Sequence, residues 1–573
     1  MTLSSSPETP PPPPLDWFPR TRDLALTLTG WPSVSGSAGE VDFAERLLTL
    51  VRSWAYFQRR PEDAWAAPAH PSAASNVFVL VRGRGPQTVV LSGHYDTVGT
   101  GPYGDLQPLA QAPDRLTAAL VRLLEDQERQ APGLTAAERL ALDDLRSGEF
   151  LAGRGLLDMK GGLAAGLAVV ERYAALPEAA RPGNLLLIAS PDEEVMSRGA
   201  RRAAGELPEL ARHRGLHLTL GLNLDATNDV GDGREGRAAY LGTVGKLLVW
   251  TLVVGRPTHA AYPYDGTSAA LIASELLREV EGNAALSDRA HGESSPPPVC
   301  LEWRDLRAGY DVTTPPAVWA AFNVLTHRRS PAEVLGQFTA LAGHAAAQAL
   351  NRFAQQARAW GSASTPGLSR QRADLLTFEE LRARAAARVG QAQVAARLQE
   401  QPTSPDPLSD TREVVACLAA WADLQGPAVV LGLGAVHYPH THVSDTDPSG
   451  ATTRWVHAEL DAFARSSGVT VATRPFFAGI SDMSFLGHVP SSADETVARQ
   501  TPCPAHVDRP VPDALAFPTV NVGPWGRDYH QRLERIHQPY AFGTLPALLW
   551  QLLQARLLRP SSLQPALTPG DDR

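Results

Sequence analysis

The strongest constraint on this chain is where its acidic and histidine residues fall relative to its apolar runs. Val89-Val90-Leu91-Ser92-Gly93 ends in His94-Tyr95-Asp96. The run 185–190 ends in Pro191-Asp192-Glu193-Glu194, and the run 220–224 ends in Asp225. A fourth group, Gly153-Arg154-Gly155, leads through two leucines to Asp158-Met159-Lys160-Gly161-Gly162. Apolar runs of this length, without polar alternation, suit strands covered on both faces. Strands are expected over 76–81, 88–92, 184–190 and 218–224, with a helix over 159–175 between them. This alternation predicts a doubly wound α/β sheet. In such sheets ligands bind beyond the carboxyl ends of strands, where three of the four groups lie.

The chain has 573 residues, which at roughly 150 residues per domain suggests two to four domains. Residues 16–57 read as helical, and 106–149 as a polar, helical insertion. After Leu241 the character changes: strand 246–254, helix 268–281, strand 317–325, a long helix over 331–360, Ala/Arg/Gln-rich helices over 361–425, and strand 427–436. Helix 454–466 and strands 470–473 and 519–522 restore the α/β pattern. The expected architecture is a catalytic domain over 16–241 and 441–560, with a doubly wound mixed sheet, interrupted by an enlarged α+β lid domain over 242–440. Residues 1–15, with prolines at 10–14, read as a disordered tail, and 561–573 as a loose one.

Lys plus Arg is 52 and Asp plus Glu is 61, a net charge of -9 that offers no basic footprint for nucleic acid. No apolar stretch reaches the roughly 18 residues of a membrane span, and no signal-peptide pattern opens the chain. Cys300, Cys417 and Cys503 are too scattered for a CxxC pair or a disulfide framework. A cytoplasmic protein is expected.

Several carboxylates and an imidazole converging on one point repel one another, and burying them unpaired is costly. Divalent cations resolve that conflict, and zinc accepts both His nitrogen and carboxylate oxygen. Two metals can share a bridging carboxylate. A second histidine near the C-terminus would complete such a site, and His530, after strand 519–522, is the best placed. Alone, His94 reads as a core histidine, Glu193-Glu194 as an exposed pair and Asp158 as a helix N-cap. The joint pattern favours a site.

His94-x-Asp96, Gly153-Arg154-Gly155-x-x-Asp158-Met159-Lys160-Gly161-Gly162 and Asp192-Glu193-Glu194 resemble the dizinc amidohydrolase and peptidase family of acetylornithine deacetylase, succinyl-diaminopimelate desuccinylase, aminoacylase and glutamate carboxypeptidase. Gly479-Ile480-Ser481-Asp482 and His530-x-x-x-Glu534 resemble its later motifs. Glu293-x-Ser295-Pro296-Pro297-Pro298 and Tyr540-Ala541-Phe542-Gly543-Thr544-Leu545 resemble an arginine-utilisation branch, over most of the chain. The resemblance implies a zinc exopeptidase-like fold and two divalent cations, zinc first, with cobalt or manganese as alternatives. It implies His94, bridging Asp158 and Glu194 on one cation, and Asp158, Asp225 and His530 on the other. Asp225 stands where many relatives have Glu, and Asp229 is a weaker candidate. Asp96 would orient His94, and Glu193 would be the general base. His259, in Pro257-Thr258-His259-Ala260-Ala261, resembles a lid histidine that hydrogen-bonds the oxyanion, often in a partner subunit of a homodimer.

The sequence thus reads as a two-metal hydrolase acting on an amide of an N-acyl amino acid or short peptide. Arg474, Arg289 and Asn323 are candidate substrate-carboxylate clamps. The alternatives are a non-catalytic amino-acid-binding or regulatory protein of the same fold, and a phosphoesterase using Arg154 and Lys160. Gly231-x-Gly233-x-x-Gly236 reads as a loop, and His437, His440, His442 and His537 as incidental.

Overall fold

In the computed structural model, which describes residues 16–130, 133–307, 309–400, 406–488, 492–503, 507 and 513–558, the apolar runs pair side by side. The tails expected at 1–15 and 561–573 lie outside the described residues. An eight-stranded sheet runs in the order Ala64–Pro68, Ser75–Val81, Asn184–Ser190, Gln87–His94, His217–Asn223, Thr519–Asn521, Ala238–Tyr240 and Ala472–Arg474. Its four central strands, from Asn184–Ser190 to Thr519–Asn521, are mutually parallel. Antiparallel pairs flank them, so the sheet is mixed, as expected. Every residue of Asn184–Ser190 is buried, which explains the unbroken apolar run.

Helices Phe18–Thr29, Gly161–Ala175 and Leu545–Leu558 pack on one face, and Arg198–Arg214 on the other. Small residues let Gly161–Ala175 approach the sheet. A Cβ at Gly162 would lie 2.1 Å from the Leu224 carbonyl oxygen. The helix start is thereby pressed against the strand end that leads into Asp225.

A second sheet uses only residues between 245 and 438, in the order Val299–Asp305, Ala317–Thr326, Gly245–Val254, Ala428–Tyr438 and Asp374–Thr377. Ala269–Val280 and Pro331–Trp360 cover one face. Phe378–Val389 and Pro407–Trp421 cover the other, over Trp250 and Trp319 stacked at 5.3 Å. The Ala/Arg/Gln-rich insertion therefore closes the second face of this sheet. It also contains the strand Asp374–Thr377, which its helical composition conceals. The edge strand Val299–Asp305 is a further addition to the expected elements.

The two chain crossings between the sheets pair with each other, Gly242–Thr243 against Thr441–His442. Beside them His437, His440 and His442 line a cavity of about 240 Å³ with His488 and Asp494. Burial holds His437 down at about 3, against the pull of Asp494. Burial and the stacked His291 ring, 3.9 Å away, hold His442 at about 4. For such a histidine the unfolded chain binds the proton more readily than the folded one. Its contribution to stability is full above about pH 6.5 and is lost as the pH falls toward the folded value. Buried carboxylates elsewhere act in the opposite sense, so the informative quantity is a difference. His442→Asn should gain stability relative to the parent chain by about 2 kcal/mol between pH 7 and pH 5. Paired denaturant melts measure this, and a constant gap across that window contradicts it.

Candidate functional site

His94 ends the strand Gln87–His94, and Asp225 follows the neighbouring strand His217–Asn223. Glu193 and Glu194 follow Asn184–Ser190 on the turn begun by Asp192, whose φ is +68°. Asp158 precedes the helix Gly161–Ala175, and His530 follows the short strand Trp525–Arg527. His94 Nε2 lies 3.1 Å from Asp158 Oδ1, and His530 Nε2 lies 3.1 Å from Asp158 Oδ2. His530 Nε2 is also 3.1 Å from Glu194 Oε2. Among the described residues, the side chains able to ligate a cation form two groups sharing Asp158: His94–Asp158–Asp225 and Asp158–Glu194–His530.

That partition differs from the one implied by resemblance, in which Glu194 accompanied His94 and Asp225 accompanied His530. The strand of His94 lies between those leading to Glu194 and Asp225, so the turn after Asp192 makes the difference. Adjacent strand ends place Asp225 beside His94, while the turn after Asp192 carries Glu194 across to His530.

Asp96 touches more than His94. The His94 Nδ1 is 3.1 Å from the Asp96 carbonyl oxygen and 3.4 Å from its carboxylate. That carboxylate accepts the N–H of Glu193 at 3.0 Å, the N–H of Glu194 at 3.2 Å and the Ser35 hydroxyl at 2.8 Å. It therefore fixes the Glu193–Glu194 turn. Asp225 is set by Asn521, whose Oδ1 accepts the Asp225 N–H at 3.0 Å. Asp482 accepts the Ser190 hydroxyl at 2.6 Å, beneath the same turn.

The electrostatics are those of crowded, buried carboxylates. Burial, aggravated by Asp158, pushes Asp225 up to about 7. Burial also raises Glu194, again with Asp158, and raises Glu193 well above the usual carboxylate range despite the nearby His94. For Asp158 burial acts upward too, but the bonds to His530 and His94 outweigh it and hold the carboxyl below its ordinary value. Its bonds to Asp158 and Glu194 push His530 up to about 10.

Asp229 stands apart, with its carboxylate accepting the N–H groups of Gly231 at 2.6 Å and Gly236 at 2.9 Å. That turn is the loop read from the glycine-rich string. His537 stacks on Trp525 at 4.7 Å. Arg154 pairs with Glu534, and Lys160 donates to the Trp31 carbonyl at 2.8 Å, so neither supplies a cationic clamp in the cleft. His259 is also outside it. The ring is exposed and borders a separate concavity with Arg307 and Tyr310. The reason is geometric. Gly245–Val254 has Lys246 at the cleft and leads to His259 beyond its other end, roughly 26 Å away along the strand at about 3.3 Å per residue.

The cleft over the two groups has a volume of about 200 Å³. Lys246, Tyr438, Phe477 and Tyr529 line it, and the sequence reading missed all four. For Lys246 a signal existed: a lone cation opening an apolar strand run. Burial lowers its ammonium, against the nearby Glu193. Arg474 bonds Glu235, and neither Arg474, Arg289 nor Asn323 lines the cleft.

Residues 139–506 match the peptidase family M20/M25/M40. The chain is 30% identical over 559 residues to the protein YqjN of Bacillus subtilis (strain 168), covering 96% of this chain and 98% of YqjN. It is 29% identical over 571 residues to Protein RocB of the same organism, covering 95% and 97%. A tripeptidase structure from Staphylococcus aureus shares the fold at a TM-score of 0.50 and 15% identity, covering 94% and 98%. This chain belongs to peptidase family M20/M25/M40, whose members are metal-dependent peptidases and amidohydrolases.

Proposed function

We propose that the protein is a two-cation hydrolase that cleaves an amide bond of an N-acyl amino acid or short peptide. The observation that carries this reading is the pair of ligand groups sharing Asp158. The donor set fits hard or borderline divalent cations, zinc first, through imidazole nitrogen and carboxylate oxygen. Glu194 Oε1 is buried without a hydrogen-bond partner, the state of a carboxylate oxygen that expects a cation. His94, Asp158 and Asp225 would hold one cation, and Asp158, Glu194 and His530 the other. Bound there, the pair supplies Lewis acidity and a water of lowered pKa.

Glu193 has no place in either ligand group, yet its side chain is 9% exposed and lies 3.7 Å from His94. It is positioned to take a proton from the attacking water and return it to the leaving amine nitrogen. Asp96, holding both N–H groups of the turn, keeps Glu193 and Glu194 in their separate roles. Two divalent cations, once bound, would offset the charges of Asp158, Glu193, Glu194 and Asp225. Lys246 then adds one positive charge to the cleft, its ammonium 5.8 Å from the Tyr438 ring centroid, and suits a substrate carboxylate. The resemblance to an arginine-utilisation branch makes arginine derivatives the first substrates to screen. A cytoplasmic setting fits the three free cysteines, and among the described residues no helix is long and apolar enough to cross a membrane.

A second copy belongs to the same reading. His259 cannot serve its own cleft, but the edge strand Val299–Asp305 turns Val299, Leu301 and Trp303 to solvent at 38%, 54% and 38% exposure. Unpaired edge strands with apolar faces invite another strand. A homodimer paired there is the setting in which His259 would act in the partner's cleft, as the resemblance implies.

Purified protein should hold two divalent cations per chain by elemental analysis, and chelation should abolish hydrolysis. Full activity in metal-free protein would sink the reading. Glu193→Gln should keep both cations and lose about 10²- to 10⁴-fold in kcat. Loss of a cation with turnover retained would show that Glu193 and Glu194 exchange roles. For the dimer, Glu193→Gln and His259→Ala chains should each be inactive, and mixed dimers should regain activity at one site of two. No recovery in dimers verified as mixed would place His259 outside the chemistry.

A further inference from the structure

Arg154 and Glu534, 380 residues apart, form an ion pair whose side chains are 1% and 0% exposed. Glu534 accepts the His530 N–H at 3.3 Å on one oxygen and the Gly155 N–H at 3.0 Å on the other. Arg154 donates back to the His530 carbonyl at 3.2 Å. One ion pair thus holds both main-chain polar groups of His530, and also grips Gly155, three residues before Asp158. The Tyr103 ring closes over the guanidinium at 5.2 Å.

His530 needs such a hold. It sits on a turn after a three-residue strand, its side chain 41% exposed, with φ at +65°. A non-glycine residue persists in that left-handed region only when its surroundings fix it there. The other ligand group is differently built. His94 and Asp225 stand at the ends of adjacent strands, held by the sheet itself. A buried ion pair is a poor device for stability alone, because desolvation cancels much of its attraction. Its planar donors do fix direction, which is what a turn in a strained conformation lacks.

We propose that the Arg154–Glu534 pair is the positioning device for His530, and that it governs retention of the cation at Asp158–Glu194–His530, while the other cation keeps His94 and Asp225, which the pair does not touch. This rests on the two-cation reading. Arg154→Lys keeps the charge but loses the fork, and Glu534→Gln keeps the shape but loses the charge. Each variant is titrated with Zn2+ against a chelator of known affinity, with thermal melting as the fold control. The parent chain should bind two cations. Each variant should hold one as the parent does and bind the other 10- to 100-fold more weakly, the usual effect of losing an outer partner. In a His530→Ala background the same changes should add nothing.

The proposal is overturned if both cations bind as in the parent, if both weaken equally, or if the effects add to that of His530→Ala. It is also overturned if both variants lose the native melting transition together with both cations. A parent chain that binds fewer than two cations would instead defeat the two-cation reading beneath it.

Discussion

Mutual repulsion among buried carboxylates is the constraint around which this molecule is arranged. Asp158, Glu193, Glu194 and Asp225 line one cleft of about 200 Å³. Left to themselves, four such groups would hold protons or drive the strand ends apart. The chain instead fixes three of them from behind. Asp96 takes the N–H groups of Glu193 and Glu194, Asn521 takes that of Asp225, and Asp482 braces Ser190 below the turn. These supports are polar, buried and contributed by the large sheet and its loops. Such supports hold the strand-end side chains in place, which close coordination would require.

The two ligand groups are not equivalent, and the difference follows from the elements that carry them. His94 is 1% exposed on a full-length central strand, whereas the His530 side chain is 41% exposed on a turn. Strand ends inherit their geometry from the hydrogen-bond ladder. A turn at positive φ has no ladder and depends on side chains brought from elsewhere, here Arg154 and Glu534.

Much of this was legible in the sequence, for a physical reason. Strands buried on both faces give unbroken apolar runs, and polar groups directly after them must lie at one end of the sheet. That argument located His94, Glu193, Glu194 and Asp225, and the mixed sheet around them. It could not assign partners within the cluster, because strand order is a long-range property. Knowing that Gln87–His94 lies between Asn184–Ser190 and His217–Asn223, with Glu194 carried away on a left-handed turn, was needed to pair Asp225 with His94. Asp374–Thr377 hid among helix formers because its strand character comes from its neighbour Ala428–Tyr438. Val299–Asp305 alternates as an edge strand should, but it directly follows a proline run that reads as a break.

His259 shows most clearly where local reading ends. Its motif placed it after the strand Gly245–Val254, and it is there. A strand, however, has two ends. Lys246 opens this one at the cleft and His259 lies beyond the other, beside a different concavity. The enlarged insertion covers a face of that sheet, and among the described residues Val299–Asp305 remains its edge strand. In the proposed reading Lys246 acts within its own chain and His259 across the dimer. The length of a single strand decides which residue does which.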